Sequence, residues 1–459
     1  MNPDPRTAPS GRTGTGAAPL GRRALFSYAL PSAPVQFLYM LFLFMYLKYA
    51  AESLGASTGT VGTIFLVARV WDAISDPLVG NLSDRTTLAF GRRKSWLLGS
   101  ALPLLLFGVM AWVPPPGLEG PLLTAWISVA IVGFYTAYTA FEVPHIALGA
   151  EISLDPLERN KIYGARQLAR ALAMLLSAAG VQLLMDDERS RESAYVLALG
   201  CGAFAVAAIV YGIWALPPER RDYAGRGGAS PFRAAADVVR NVHARLLLSV
   251  YFIEQLGMGA IGMLVPFLLQ YVIVMPEITG AMLGSTFVLS ILSIPVWIAF
   301  ARRFEKRRLW LAAMIVTGLG YGMLLFFGAG TWLLMAVSCT IVGLCQSCGS
   351  VLGQSLKAEI VDYDELQTGE RKEGIYFAAW TFASKLAAGI MAFVAGWVLE
   401  LAGFVPDGEV QSDRVQWAML LLAGGMPLAG FSIGALAFTR FSLNEVAHAR
   451  IRAQLDGRA

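Results

Sequence analysis

Apolar and polar positions alternate along this chain in long blocks rather than at short period. Uninterrupted apolar stretches are each about as long as a helix needs to cross ~30 Å of hydrocarbon. They fall at residues 25–50, 59–82, 95–115, 121–149, 163–185, 194–216, 245–273, 279–301, 308–328, 331–358, 373–402 and 414–440, twelve in all. Short polar stretches separate them. The longest central break, 217–244, is polar, basic and contains Pro and Gly. It divides the chain into an N-terminal half of six spans, 22–216, and a C-terminal half of six, 245–440. Within the break, 232–245 has the pattern of a short amphipathic helix lying on a membrane surface. Residues 1–21 are rich in Pro, Gly, Thr and Ala with no apolar core, which predicts a disordered tail. Residues 441–459 form a second tail. The arginine pair Arg22-Arg23 precedes an apolar run too long for an export signal and without a small-residue cleavage site. That run is expected to be the first spanning helix.

Charge fixes the orientation. The second-to-third loop carries Arg85, Arg92, Arg93 and Lys94. The central break carries Arg220, Arg221, Arg226, Arg233 and Arg240, and the eighth-to-ninth loop carries Arg302, Arg303, Lys306, Arg307 and Arg308. Intervening loops are poor in net positive charge. Lys and Arg accumulate on the cytoplasmic side of a membrane, so both termini are expected in the cytoplasm of a multi-pass plasma (inner) membrane protein.

Composition agrees. Of the 459 residues, 56% are hydrophobic and 15% charged, against roughly 45–50% and ~25% in soluble domains. The net charge of +4 is spread over short loops, which excludes a nucleic-acid surface as its purpose. The four cysteines all lie inside apolar spans, and the pair Cys345-Gln-Ser-Cys348 reads as helix packing. There is no zinc-ligand cluster, phosphate-binding glycine loop or nucleophile–base set, so the chain is not expected to be an enzyme or to hold a cofactor.

The informative residues are charges inside the apolar spans. Asp72 and Asp76 lie four apart in the second span and share a helix face. Carboxylates at membrane depth are costly and mark ion or solute paths. A purely structural network, neutralised by Arg69 and Lys385, is the competing reading. Glu142 precedes Pro144 in the fourth span, where it either binds solute or a proton or simply partners Arg166. Arg170, one turn on from Arg166, is read as balancing a buried acid. His145 points about 100° away from its neighbours and is read as packed. His243 and His448 carry no signal. Lys357, Glu359, Asp362, Asp364 and Glu365, followed by Arg371 and Lys372, suggest a charged gate at the end of the tenth span. The aromatic and Met-rich first span would supply one wall of a greasy cavity.

Two six-span halves with matching basic loops are the layout of the major facilitator superfamily, whose site lies at mid-membrane between them. The loop Gly80-Asn-Leu-Ser-Asp84-Arg85, followed by Gly91-Arg92-Arg93-Lys94, resembles that superfamily's signature and assigns Asp84 and Arg85 to a gate. More specifically, Val61 to Pro77, Tyr138-Thr139-Ala-Phe-Glu142-Val-Pro144, Tyr163-Gly-Ala-Arg166 and Ala358-Glu359-Ile-Val-Asp362-Tyr363-Asp364-Glu365 resemble the glycoside–pentoside–hexuronide:cation symporter family. The resemblance runs in order through most of the chain and continues through Arg371, Gly374 and Lys385.

It implies an all-α fold of twelve helices in two bundles, with alternating access about a central cavity. The implied cation site is Asp72, Asp76, Ser75 and Thr139, with Lys385 near it coupling the charge state of the acids to occupancy. The two aspartates would be the metal ligands if the ion is sodium. Ser75 stands where the family has Asn, and a hydroxyl ligates a hard cation less strongly than an amide carbonyl. The coupling ion is therefore left as sodium or proton. The implied solute site is Gln36, Tyr138, Glu142 and Arg166. Gln36 replaces a family acid, Glu142 keeps an acid on a longer arm, and Ile146 and Ser350 replace family tryptophans. The expected function is cation-coupled symport of a sugar-like or other small organic solute, by a monomer whose partners are that solute and membrane lipid. The lost tryptophans and apolar first span keep an amphiphile such as a lysolipid open as cargo, and a non-transporting sensor or scaffold is the reading of another class.

Overall fold

The computed structural model describes residues 21–88, 90–153, 155–186, 190–219, 238, 240–369, 372–406, 410–443 and 445–456. The twelve elements are α1 (Arg22–Ala29, Ser32–Phe44 and Tyr46–Glu52), α2 (Thr58–Arg85), α3 (Arg92–Trp112), α4 (Gly120–Ile152), α5 (Pro156–Leu184) and α6 (Ser190–Ala215) in the first half. The second half has α7 (Val242–Met258 and Ile261–Tyr271), α8 (Thr279–Ala301), α9 (Lys306–Gly322 with Met323–Phe326), α10 (Trp332–Thr368), α11 (Glu373–Ala402) and α12 (Asp413–Leu420, Leu421–Gly425 and Met426–Phe438). Among the described residues, eleven helices are long and apolar enough to cross a membrane. The remaining one, α2, has 28 residues and is set apart by Arg69, Asp72 and Asp76 within it. A further helix, α13 (Glu445–Asp456), lies within the predicted C-terminal tail and packs on α10. The predicted surface helix at 232–245 lies mostly outside the described residues, and α7 begins at Val242.

Local chemistry sets the helix ends. Ser57 caps α2 by accepting from the Thr60 N–H, and Asn241 caps α7 by accepting from His243 and Ala244. Such caps satisfy amide groups that the first turn leaves free. Gly369 and Gly403 end α10 and α11 at φ of 73° and 90°, a left-handed turn that glycine adopts without a Cβ clash. The first span, expected to be one helix, is broken around Leu30-Pro31, where proline has no N–H to donate, and again at Met45. Its counterpart α7 is broken at Gly259-Ala260. Non-helical backbone at membrane depth is tolerated where it faces protein or a cavity. The breaks at Met45 and Gly259-Ala260 lie beside the cavity between the halves.

Twelve spans place both termini and the central linker on one face, here the terminal face. The halves are joined near the opposite face. There α2 and α11 approach through glycines: a Cβ at Gly396 would lie 2.2 Å from the Thr58 carbonyl oxygen, and one at Gly62 would lie 2.5 Å from that of Ala392. Glu400 on α11 accepts from the Gly59 N–H at 2.8 Å and from Ser57. The α5–α8 pair closes the same way, with the Gly280 N–H donating to Gln182 at 2.8 Å. Between α1 and α7, Tyr271 donates to Glu52 at 2.6 Å, and Glu52 also accepts from Lys48. Near the terminal face, Arg93–Asp84 and Arg92–Glu151 join helices of the first half, and Lys306–Glu359 and His448–Asp362 join helices of the second. The conformation is thus closed on the opposite face. A bulky residue at Gly396 should push α2 and α11 apart. Gly396→Leu is expected to cost about 1–3 kcal/mol by overpacking, read as a lower unfolding midpoint. A cysteine placed near Gly62 should become more reactive to a membrane-impermeant thiol reagent from the opposite face. Unchanged stability and labelling would mean that this seam does not close the molecule.

Candidate functional site

The second span sends both aspartates in one direction, as their spacing requires. Asp72 is fully buried, and the Asp76 side chain is 25% exposed. From α4, Thr139 donates to Asp72 Oδ1 at 2.6 Å and to Asp76 Oδ1 at 3.3 Å. From α11, in the other half, Lys385 Nζ lies 2.6 Å from Asp76 Oδ2 and 3.0 Å from Asp72 Oδ2. Arg69 Nη1 is 3.8 Å from Asp72 Oδ2. Its guanidinium lies over the rings of Tyr39 and Tyr135 and donates to the Tyr39 hydroxyl at 2.9 Å. Two carboxylates and two cations make a neutral set, with the lysine ammonium held between the carboxylates. Ser75 is buried on the same helix and donates to its own Asp72 carbonyl at 3.1 Å, not to a carboxylate. Lys385 and Arg69 also line the central cavity, so the sealed acid pair borders an open space.

A second charged set lies between α4 and α5. Glu142 Oε1 accepts from Arg166 and from Arg170, each at 2.5 Å. The two arginines share the acid, so Arg170 does balance it and Arg166 does too. His145 Nε2 lies 2.9 Å from the Tyr28 carbonyl, which can only accept. The ring therefore donates there and receives Arg166 Nε at Nδ1, 3.4 Å away. Stacked on Tyr28 and Phe141, His145 is a packed residue.

The central cavity, about 390 Å³, is bounded by α1 and α2 on one side and mostly by the second half on the other. Its wall is largely apolar and includes Met40, Met174, Met258, Met282 and Met335. None of Gln36, Tyr138, Glu142 and Arg166 lines it. Gln36 is buried in α1, and Tyr138 stacks at 4.7 Å behind Tyr39, which does line it.

Two of the gate residues, Asp84 and Asp362, have ion-pair partners in their own half. Asp84 pairs with Arg93 and lies 3.8 Å from Arg92, while Arg85 is exposed. Arg92 reaches Glu151 of α4 at 2.6 Å. Glu219 accepts from the first backbone N–H groups of α3, at Arg93 and Lys94, and Lys94 Nζ donates to the last carbonyls of α6. Charges at helix ends are placed as the helix dipole favours. In the second half, Glu359 pairs with Lys306 at 2.7 Å, and Asp362 with His448 at 3.0 Å and Arg452 at 3.7 Å. His448, read as silent, is thus part of this cluster. Asp364 is buried, and Arg371 lies outside the described residues.

The structure adds one polar residue, Glu254, and gives another, Lys357, a different setting. Glu254 is the only acid in its apolar span, a signal present in the sequence, and Lys357 was read as part of a helix end. Both line a separate chamber of about 250 Å³.

This arrangement of two six-helix bundles around a central cavity, with charges concentrated between them, defines a membrane transporter of the major facilitator fold. Comparison with known proteins makes the assignment. Residues 27–445 match the MFS/sugar transport protein family, and the chain belongs to it. It is similar to the isoprimeverose transporter of Lactiplantibacillus pentosus, at 25% identity over 96% of this chain and 92% of that one. It is similar to the glucuronide carrier protein homolog of Escherichia coli (strain K12), at 23% over 90% and 92%. It also resembles the sodium-dependent lysophosphatidylcholine symporter 1-A of Danio rerio, at 25% over 83% and 78%. Among solved structures, the nucleoside transporter NupG shares the fold, with a TM-score of 0.66 at 14% identity over 91% of this chain and 98% of that one. The protein is a transporter and not an enzyme.

Glu142 is the carboxylate that Arg166 and Arg170 share in the bundle. Removing one member of a buried ion cluster costs about 3–5 kcal/mol. Glu142→Gln should therefore lower the thermal unfolding midpoint in nanodiscs far more than Glu142→Asp. Equal midpoints for the two variants would show that the arginines do not need the charge.

Proposed function

We propose that the chain is a cation-coupled symporter that moves a small organic solute, sugar-like in the leading reading, by alternating access. The observation that carries this is the ammonium of Lys385 seated between Asp72 and Asp76. A lysine held by two carboxylates occupies the place a free cation would take. Sodium, or a proton on one carboxylate, would bind at Asp72, Asp76 and Thr139, with Ser75 beside them, and displace Lys385. That displacement would cut an ionic tie between the halves and permit them to rock. Solute binding would be completed by Gln36, Tyr138, Glu142 and Arg166 once the halves rearrange around the cavity. Asp84, Arg85, Asp362, Asp364 and Arg371 would serve as terminal-face gates, exchanging their partners within each half for partners across the seam. Basic loops on the terminal face support placing that face, with both termini, in the cytoplasm of the plasma (inner) membrane. The unit of transport is a monomer.

The coupling-ion reading is supported by the relatives named as cation symporters. The sugar reading is supported by the family and by the isoprimeverose and glucuronide named in two relatives. A second cargo, an amphiphile, is favoured by one feature: the apolar, methionine-rich wall of the central cavity. Met side chains adapt to irregular apolar ligands.

The decisive measurement is uptake into proteoliposomes under separate sodium and proton gradients, with glycosides, uronates and lysolipids as solutes. Asp76→Asn is expected to reduce gradient-driven accumulation about a hundredfold, matching ~3 kcal/mol of lost ion binding, while solute exchange without a gradient persists. Full uphill uptake by that variant would rule out the cation site. Thr139→Val should weaken ion dependence less, because it removes one hydroxyl and no charge.

A further inference from the structure

Among the described residues, Arg69 and Lys385 are the charged side chains that line the central cavity, and no Asp or Glu does. Asp72 and Asp76, which neutralise them, stand behind that wall. The guanidinium of Arg69 is buried and keeps its proton in any protein setting. Polar groups elsewhere on the wall, Gln255, Gln346, Ser338, Ser384 and Thr286 among them, carry no charge. The set of two aspartates, Arg69 and Lys385 is neutral while the two carboxylates hold Lys385 Nζ at 2.6 Å and 3.0 Å. A cation bound between those carboxylates would leave the set with one positive charge in excess. It would also turn the Lys385 ammonium towards a largely apolar space. An ammonium without a counter-charge beside apolar walls is strongly unfavourable. The wall offers it neutral acceptors and no carboxylate, so the counter-charge falls to the solute.

We propose that the solute is a small apolar monocarboxylate, whose carboxylate takes up the Lys385 ammonium that a bound cation displaces from Asp72 and Asp76. The carboxylate restores neutrality, and the apolar body lies against the methionines with Phe44, Phe287 and Leu324. A polyol body would lose water from its hydroxyls against those side chains without gaining equal partners. A neutral solute would leave the released ammonium uncompensated, and a cationic one would add to the excess. The exchange makes each ligand the condition for the other. Without the cation, the aspartates keep the lysine engaged; without the solute, the cation strands a charge. That mutual dependence is a positive coupling between two sites. The inference rests on the cation-displacement reading above and names the class of its small organic solute.

The test uses the full-length protein in nanodiscs and calorimetry with phenylacetate, phenylacetamide, glucuronate and phenyl glucoside. Each is titrated in sodium and in sodium-free buffer, at neutral and at mildly acidic pH. In the ion condition that loads the site, wild type is expected to bind phenylacetate about tenfold more tightly than phenylacetamide, its neutral counterpart of the same shape, and than glucuronate. Withdrawing the ion should weaken phenylacetate about tenfold and leave phenylacetamide unchanged. Lys385→Gln should bind acid and amide alike under every condition. Asp76→Asn, with one carboxylate already neutral, should hold phenylacetate as tightly without the ion as wild type does with it. That variant decides if Lys385→Gln yields no folded protein: no gain over ion-free wild type overturns the inference. Equal binding of acid and amide by wild type, the result if the displaced lysine sheds its proton, also overturns it. So does glucuronate binding as tightly as phenylacetate, or wild type binding none of the four. Ion-strengthened binding of phenyl glucoside alone would overturn it and leave the symporter reading standing. A preference for the acid that neither ion alters would overturn the exchange and the cation site together.

Discussion

Charge neutrality in a medium that cannot solvate charge is the constraint on which the rest of this molecule depends. Two aspartates on α2 would repel each other strongly without compensation. The protein supplies compensation from both halves at once: Arg69 from the same helix and Lys385 from α11. The result is an internal salt that is neutral only while α2 and α11 stay together. In the proposed mechanism an external cation that enters the pair makes the lysine redundant, and a binding event of one charge is thereby tied to an inter-bundle contact, which is the physical content of coupling.

The scaffold around that contact is built for close approach at one end. Gly59, Gly62 and Gly396 allow the α2 and α11 backbones to touch, and Phe44 fills the space over Gly262 between α1 and α7. At the terminal face, by contrast, ionic groups serve local structure. Glu219 and Lys94 satisfy helix ends, Arg92 and Arg93 tie α3 to Asp84 and Glu151, and Asp362 holds α13. Each half is thus stiffened internally at the face where contacts between halves are not the ones holding the molecule. Rigid bundles with exchangeable seams are what a rocking motion requires.

The interior is divided by polarity. The central cavity is mostly apolar, with the ion cluster on one side. The Glu142 set is buried behind it, with one positive charge in excess. The chamber in the second half is lined by Glu254 and Lys357. A solute entering here meets grease first and charge at the margins, an arrangement that distinguishes this chain from a uniformly polar channel.

Much of this could be read directly from the chain. Apolar block length specified the helices, loop arginines and lysines suggested their orientation, and the four-residue spacing of Asp72 and Asp76 placed both on one face. The span that falls short of the apolar criterion, α2, does so because it carries Arg69, Asp72 and Asp76. Sequence spacing is sufficient there because the information is local: a helix repeats every 3.6 residues regardless of its neighbours. What the fold alone decided is which distant groups meet. Lys385 reaches residues more than 300 positions earlier, Gln36 and Arg166 stand off the cavity in this conformation, His448 finds Asp362, and Glu254 shares a chamber with Lys357. Those meetings depend on how two bundles pack and on which face is closed. No period along the chain encodes them, because contact between helices is set by the shapes of both partners together.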